Sequence, residues 1–146
     1  MRIDMKFKLA VLFFFCSPSL HAGEHFSKFD DFTRETNNVF VTTEKEAESN
    51  RAYYVIGGYN KNLNTVSLLV HPLSGSTSCD KQYLLLKDSA GVIHKLDADE
   101  RRGNQCFVRS IDADLIRKPF KVRIPMYSGA DLDIEIDTTT LDLSKL

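Results

Sequence analysis

The sequence predicts a mainly β protein: an antiparallel β-sandwich or small barrel of about seven strands, with a short N-terminal helix and one disulfide. From residue 51 onward, apolar side chains recur at every second position, which is the period of a half-buried strand. Short turn-forming segments separate these stretches at the spacing of hairpins. Two cysteines, Cys79 and Cys106, remain once an N-terminal export signal is set aside.

The first 22 residues have the layout of a Sec signal peptide. Arg2, Lys6 and Lys8 precede the apolar run 9–16, and a short polar segment ends at Ala22, where we expect cleavage. The run is shorter than the ~20 residues that cross a bilayer, so a stable membrane anchor is not expected. The chain is therefore predicted to be exported to the periplasm, with either Met1 or Met5 as its start.

Removal of residues 1–22 leaves 124 residues, enough for one β domain, 23–146, with its own core. The remaining chain carries 16 Lys and Arg against 19 Asp and Glu, a net charge of −3. A weakly acidic chain gives neither nucleic acid nor an anionic membrane a general electrostatic attraction.

Seven segments are predicted as strands because their apolar residues alternate with polar ones. In 118–124, for example, Phe120, Val122 and Ile124 are separated by Lys121 and Arg123. Hairpin loops are predicted at 88–91 and 128–130, where small and turn-forming residues cluster. The predicted strands are 51–59, 65–71, 81–87, 92–97, 105–111, 118–124 and 131–137.

The N-terminal part has a different period. Phe26, Phe29 and Phe32 recur at every third residue, which predicts a short amphipathic helix over 27–37 that closes one mouth of the sheet structure. The segment 39–41 is predicted as a further edge strand. The polar segment 44–49 fits either a helical turn or a loop.

An even pair of cysteines in an exported protein of this size indicates one disulfide, between Cys79 and Cys106. The alternative is a cysteine nucleophile with His71 or His94 as its base. Zinc binding is not favoured, because residues 23–146 contain neither a Cys-x-x-Cys nor a His-x-x-x-His spacing. No metal and no cofactor are predicted.

Carboxylates could support a hydrolase, because wall-degrading glycosidases need two of them across a cleft. Asp97, Asp99 and Glu100 fall in one predicted loop, and a row of acids follows in 131–137. The row alternates with apolar residues, which indicates a solvated outer face. Asp97-Ala98-Asp99 is similar to the start of a calcium-binding loop, but Arg101 occupies a position where such a loop requires an oxygen ligand. The sequence contains no phosphate-loop, dinucleotide or nucleophile-elbow motif.

Charge is uneven along the chain, with basic residues concentrated in 101–123 and acidic residues in 131–142. Two interpretations stay open. One is cross-strand ion pairing, which helps to set register. The other is a patterned binding surface, which sets association rate and partner choice.

An exported, single-disulfide β domain of this length without a catalytic set resembles two groups of small periplasmic inhibitors. One is the lysozyme inhibitors with a Ser-Gly-x-x-Tyr signature. Ser74 and Gly75 match its start, whereas the nearest tyrosine is Tyr83. The whole chain, through both cysteines, more closely resembles the periplasmic immunity proteins against type VI secretion effectors, in particular the Vibrio group directed at a spike effector with a muramidase domain.

This resemblance implies a stoichiometric binder, not an enzyme, whose partner is a secreted muramidase-like effector with a cleft that the protein blocks. The loops 72–78 and 97–104 are the predicted binding elements, because one disulfide would anchor both. A periplasmic hydrolase acting on peptidoglycan and an adhesin-like β domain remain as alternatives, and a homodimer stays open. The predicted partner-binding residues are Ser74, Ser76, Asp99, Glu100, Arg101 and Arg102.

Overall fold

The computed structural model describes residues 22–146, so the predicted signal peptide lies outside the described residues apart from Ala22. The described chain is mainly β, as predicted. Its ten strands are β1 (Glu24–Asp30), β2 (Glu35–Val41), β3 (Ala52–Asn60), β4 (Thr65–Pro72), β5 (Leu84–Lys87), β6 (Ile93–Leu96), β7 (Asp99–Arg101), β8 (Gln105–Asp112), β9 (Phe120–Ile124) and β10 (Leu132–Ile136).

The strands form two antiparallel sheets. The six-stranded sheet has the order β1-β2-β3-β4-β8-β7, and the four-stranded sheet has the order β10-β9-β5-β6. All seven strands predicted from alternation are present, and the three additional strands are β1, β2 and β7.

The core lies between the inner faces of the two sheets. In β9, Phe120, Val122 and Ile124 are buried while the lysine and arginine between them are exposed, so the period of two in the sequence becomes one buried face. Burial of each such large side chain stabilises the fold by roughly 1.5–3 kcal/mol. The six-stranded sheet supplies the opposing side chains, among them Phe40, Tyr54, Ile56, Leu68, Val70, Val108 and Ile111.

The helix predicted over 27–37 is wrong. This part of the chain is a hairpin in which β1 pairs with β2 over seven residues, from Glu24 opposite Val41 to Asp30 opposite Glu35. The predicted role of the phenylalanines in closing the sheet structure is also wrong, because Phe26, Phe29 and Phe32 are 57%, 53% and 100% exposed. The segment 39–41 lies in β2, which is an inner strand.

A turn centred on residues 31–34 reverses the chain. The Asp30 carboxylate accepts hydrogen bonds from the backbone N–H groups of Phe32 (2.9 Å) and Thr33 (3.4 Å), an arrangement that aspartate offers in competition with helix formation. Arg34 adopts a left-handed backbone, φ 59°, and donates its N–H to the Asp30 carbonyl (2.8 Å). Local side-chain bonding therefore outweighs the three-residue spacing of the phenylalanines.

Most of this hairpin extends beyond the region in which β2 is paired with β3. β2 pairs with β3 only from Val39 to Val41, because β3 contains an irregularity between Gly57 and Asn60, with Gly58 at φ +62°. Such a bulge bends one strand away from its neighbour. We call residues 26–38 the β1–β2 arm, since beyond Val39 its strands pair only with each other.

Helix α1, Glu44–Asn50, connects β2 to β3. Thr43 caps it by accepting a hydrogen bond from the Glu46 N–H (3.3 Å). Of the two structures that fitted the polar segment 44–49, a helical turn or a loop, the structure has the helix. At its other end, the Asn50 amide donates to the Glu135 carbonyl (2.8 Å) on β10. Within residues 22–146, no helix has the length and apolar character required to span a bilayer.

Candidate functional site

The predicted disulfide is confirmed: Cys79 and Cys106 are bonded, with their Cα atoms 5.9 Å apart, a usual disulfide separation. Cys106 lies in β8, and Cys79 lies in the connection between β4 and β5, residues 73–83. The cysteine-nucleophile alternative is excluded in this structure, because both sulfurs are in the bond. The bridge ties the chain segment that links the two sheets to the six-stranded sheet.

The two predicted binding segments lie side by side. The Thr77 N–H donates to the Gly103 carbonyl (3.3 Å), and the Thr77 hydroxyl donates to the Glu100 carboxylate (3.3 Å). Gly103 lies in the turn between β7 and β8. Hydrogen bonds therefore reinforce the covalent link between these segments.

The same connection is also held by the segment between β9 and β10. The Ser78 N–H donates to the Pro125 carbonyl (2.8 Å), and the Tyr127 N–H donates to the Ser76 carbonyl (2.9 Å). Thr77 and Ser78 are buried, whereas Ser74 and Ser76 are exposed. The connection is thus fixed from both sides and presents its exposed serines at one end.

A glycine shapes the exposed end of this connection. Gly75 has a φ of +86°, and a Cβ atom there would lie 2.9 Å from the Met126 Cε. The backbone conformation favours glycine, whereas the Met126 methyl is the end of a flexible side chain that can move. The exposed serines on either side are therefore presented by a turn with a defined shape.

The segment 97–104 is not a loop throughout, which corrects the prediction. Residues Asp99–Arg101 form β7, an edge strand paired with β8. Successive side chains of a strand point to opposite faces. Accordingly, Asp99 pairs with Arg109 (2.9 Å) on the outer face, while Glu100 contacts Thr77 on the other side. Asp99 and Glu100 therefore do not face each other across a cleft.

The two adjacent arginines have different surroundings. The Arg101 guanidinium lies 3.8 Å from the centroid of the Phe107 ring, a cation–π contact on the outer face of the six-stranded sheet. Arg102 is exposed in the turn, with a φ of 55°, followed by Gly103 at 70°. A left-handed arginine is uncommon. The turn therefore projects Arg102, whereas Arg101 is held against the sheet.

Asp80, a residue without a predicted role, lies beside Glu100. Partial burial, together with the Asp80 carboxyl, raises the pKa of Glu100, while the Thr77 hydroxyl and Lys81 act in the opposite direction. The register could have indicated this pair, because Asp80 follows Cys79 and Glu100 lies opposite Cys106. An open depression beside the pair is lined by Asp80, Ala98, Asp99, Glu100, Gly103 and Arg109.

The remaining polar candidates have local partners. His71 is within hydrogen-bond distance of the Asn104 and Gln105 amides (3.3 and 3.1 Å), and His94 contacts the Asp88 carboxylate (2.8 Å). Among residues 22–146, no group of three or more His, Cys, Asp or Glu side chains is arranged to hold a metal ion.

Cross-strand ion pairing is present between the basic and acidic strands. Arg123 on β9 forms two hydrogen bonds with Asp133 on β10 (2.7 and 2.9 Å), and this pairing lowers the pKa of Asp133. Lys121 lies opposite Glu135 in the same register. The acidic row of β10 is thus a solvated outer face paired with its basic neighbour.

Comparisons with known proteins find no matching family model, no similar curated protein and no matching solved structure.

Proposed function

We propose that this protein is a periplasmic immunity or inhibitor protein that binds and blocks a secreted, muramidase-like effector. The binding surface is the disulfide-anchored site, which we define as the connection residues Ser74 and Ser76, together with Asp99, Glu100, Arg101 and Arg102. The observation that carries this proposal is the anchoring of residues 76–79 on both sides. Thr77 and Cys79 are attached to the β7–β8 hairpin, and Ser76 and Ser78 are attached to the segment between β9 and β10.

Anchoring favours binding for an energetic reason. A protein that enters an enzyme cleft loses affinity when its loop must first be ordered. Here the ordering is provided by the disulfide, by the hydrogen bond from Thr77 to Gly103 and by the hydrogen bond from Ser78 to Pro125. The exposed residues can then contact a partner without this cost.

Arg102 is the residue best suited to a catalytic cleft. It is exposed at the end of a turn, and it makes no ion pair within 4.0 Å in the part of the chain that the structure describes. Wall-degrading glycosidases carry a pair of carboxylates. A guanidinium that reaches them forms charge-assisted hydrogen bonds, which are about twice as strong as neutral ones.

The test measures affinity for candidate effectors, which are first identified by co-expression and cell survival. Arg102→Ala is expected to weaken binding at least tenfold, about 1.4 kcal/mol. Arg101→Ala is expected to weaken it less, because that guanidinium is held against Phe107. Lys61→Ala, an exposed cation in the β3–β4 turn, is the matched control.

Ser74→Ala/Ser76→Ala tests the other segment of the same site, with circular dichroism to verify the fold. If neither this pair nor Arg102→Ala changes affinity by tenfold while an effector is bound, the partner contacts another surface. If no effector is bound or neutralised by the folded protein, the proposed function itself is wrong.

A hydrolase is the second candidate, and the observation that favours it is the Glu100 carboxyl beside Asp80. A carboxyl with a raised pKa is suited to act as a general acid. This alternative predicts that purified protein degrades peptidoglycan and that Glu100→Gln abolishes the activity without unfolding the chain. Absence of lytic activity in the wild-type protein would exclude it.

A further inference from the structure

The four edge strands of the two sheets differ in how they are protected. β7 has three residues and β6 has four, and short edges offer little backbone to a second chain. On β10, the Glu135 carbonyl is occupied by the Asn50 amide. β1 has seven residues, Glu24–Asp30, and among residues 22–146 no strand pairs with its outer side.

β1 also carries exposed aromatic side chains. Phe26 and Phe29 are 57% and 53% exposed, and Phe26 lies directly opposite the half-buried Val39 of β2. A long edge strand presents unpaired N–H and C=O groups to another chain, and β1 carries its two phenylalanines among charged residues of both signs. Of the four edges of the sheets formed by residues 22–146, β1 is therefore the one best suited to strand addition.

We propose that β1 pairs with β1 of a second copy of this chain, in an antiparallel arrangement about a two-fold axis that passes at Phe26. Backbone groups that point outward alternate along a strand, so a symmetric pairing requires the axis to pass at a residue. The candidate axis positions are His25, Phe26, Ser27 and Lys28. The charges on β1 distinguish between them.

An axis at Phe26 places Glu24 opposite Lys28 twice, once on each side of the axis. An axis at Ser27 places Glu24 opposite Asp30 twice, and an axis at Lys28 places the two lysines opposite each other. Opposite charges that face each other across strands are stabilising, and like charges are destabilising. An axis at His25 places neither Glu24 nor Lys28 opposite a charged residue.

The Phe26 register also brings the two Phe26 side chains together, each beside the Val39 of its own chain. Aromatic cross-strand pairs add to the stability of a sheet. Because each copy uses the same strand, the interface is closed and produces a dimer instead of a polymer. This differs from an adhesin-like assembly, in which chains would add to one another without limit.

The proposed interface is independent of the proposed function. β1 and β7 are the opposite edges of the six-stranded sheet, and the disulfide-anchored site is at the β7 edge. Each copy of the dimer would keep that site free. Loss of the dimer and loss of partner binding are therefore separate results.

Charge reversal tests the register. The protein is expressed from the full-length gene, and its dimer Kd is measured by sedimentation over a roughly hundredfold concentration range. We expect a concentration-dependent dimer in the wild type. Glu24→Lys and Lys28→Glu should each raise the dimer Kd at least tenfold, whereas the double variant Glu24→Lys/Lys28→Glu should restore it to within about threefold. Glu48→Lys, an exposed change of the same charge in α1, should leave it unaltered.

Cross-linking gives a second, geometric test. Directly opposed residues of an antiparallel pair have Cα atoms ~4.5–5.5 Å apart, which a disulfide can bridge. In a Cys16→Ser background, Phe26→Cys should form a disulfide-linked dimer on oxidation, and Ser27→Cys should form much less. Preferential linkage through Ser27→Cys would overturn the Phe26 axis. A wild-type chain that is monomeric at every concentration would overturn the proposal.

Discussion

The two hairpins at opposite edges of the six-stranded sheet are built in opposite ways. The β7–β8 hairpin has one very short strand, yet its partner strand carries the buried Cys106 and is bonded to the sheet connection. The β1–β2 hairpin has two long strands, but its arm lies beyond the end of the pairing with β3. Only Phe40 of this hairpin is buried in the core.

The comparison indicates that strand pairing alone does not decide how rigid a region is. The strands of both hairpins pair in an antiparallel manner. The hairpins differ in how firmly their side chains attach them to the core. Segments with few buried apolar contacts open more easily than segments fixed to the core. We therefore expect the β7–β8 edge to behave as part of the core and the arm to behave as an appended element.

The largest expected effect comes from removing the one side chain that fixes the first hairpin to the core. Phe40 is fully buried, with its ring 5.2 Å from that of His25 and 6.3 Å from that of Tyr54. Phe40→Ala should lower the free energy of unfolding by about 3–5 kcal/mol, measured by urea denaturation. Phe32→Ala, at the fully exposed position in the arm turn, should change it by less than about 0.5 kcal/mol. Equal losses for both would contradict the comparison.

The disulfide tests the other hairpin. Cys79→Ala/Cys106→Ala should lower the free energy of unfolding by about 3.5 kcal/mol, because it releases a constraint on a 27-residue separation in the unfolded chain. In the same variant, amide protection in β7 should fall while that in the arm stays unchanged. A uniform loss of protection in both hairpins would show that they are not independent.

Hydrogen exchange compares the hairpins directly. In the Glu24→Lys variant, where self-pairing through β1 is expected to be weakened, the paired amides of the arm should exchange at least about tenfold faster than those of β8. The reason is that the arm strands have no third strand beside them. Comparable protection in both would indicate that another part of the chain covers the arm.

The smallest expected effect concerns the carboxyl pair at the β7 edge. The pKa of Glu100 is raised in the folded chain, so folding favours the protonated carboxyl, and its charged form costs stability at neutral pH. Glu100→Gln should therefore raise the thermal midpoint at pH 7, and this gain should disappear as the pH falls toward about 4. Glu48→Gln in α1 is the control, and a lower midpoint for Glu100→Gln at pH 7 would contradict this account.

Most of the alternating strands could be predicted from sequence because they have one buried face; β6 is the exception, since none of its four residues is buried. In β9 and β10, polar and apolar residues alternate, and the apolar ones are buried while the polar ones are exposed. The arm could not be predicted this way, because its phenylalanines are exposed and share no buried face. β7 was missed because its three residues, Asp-Glu-Arg, are all charged, and its pairing depends on β8 behind it.

The candidate site was predicted in part. The sequence indicated that the bridge would bring the two segments together, since Cys79 directly follows one segment and Cys106 lies two residues after the other. It did not indicate that Glu100 faces Thr77 and Asp80, because that depends on the register between β7 and β8. The difference between Arg101 and Arg102 likewise depends on a turn conformation that the adjacent Gly103 only suggests.

The bond between Cys79 and Cys106 closes a covalent ring that contains β5, β6 and β7. β5 and β6 belong to one sheet and β7 to the other, so the ring spans both layers of the molecule. A protease that cuts once inside this ring produces two fragments that stay joined until the bridge is reduced. Cleavage in the turns between these strands would therefore leave the mass of the molecule essentially unchanged and its sheets linked.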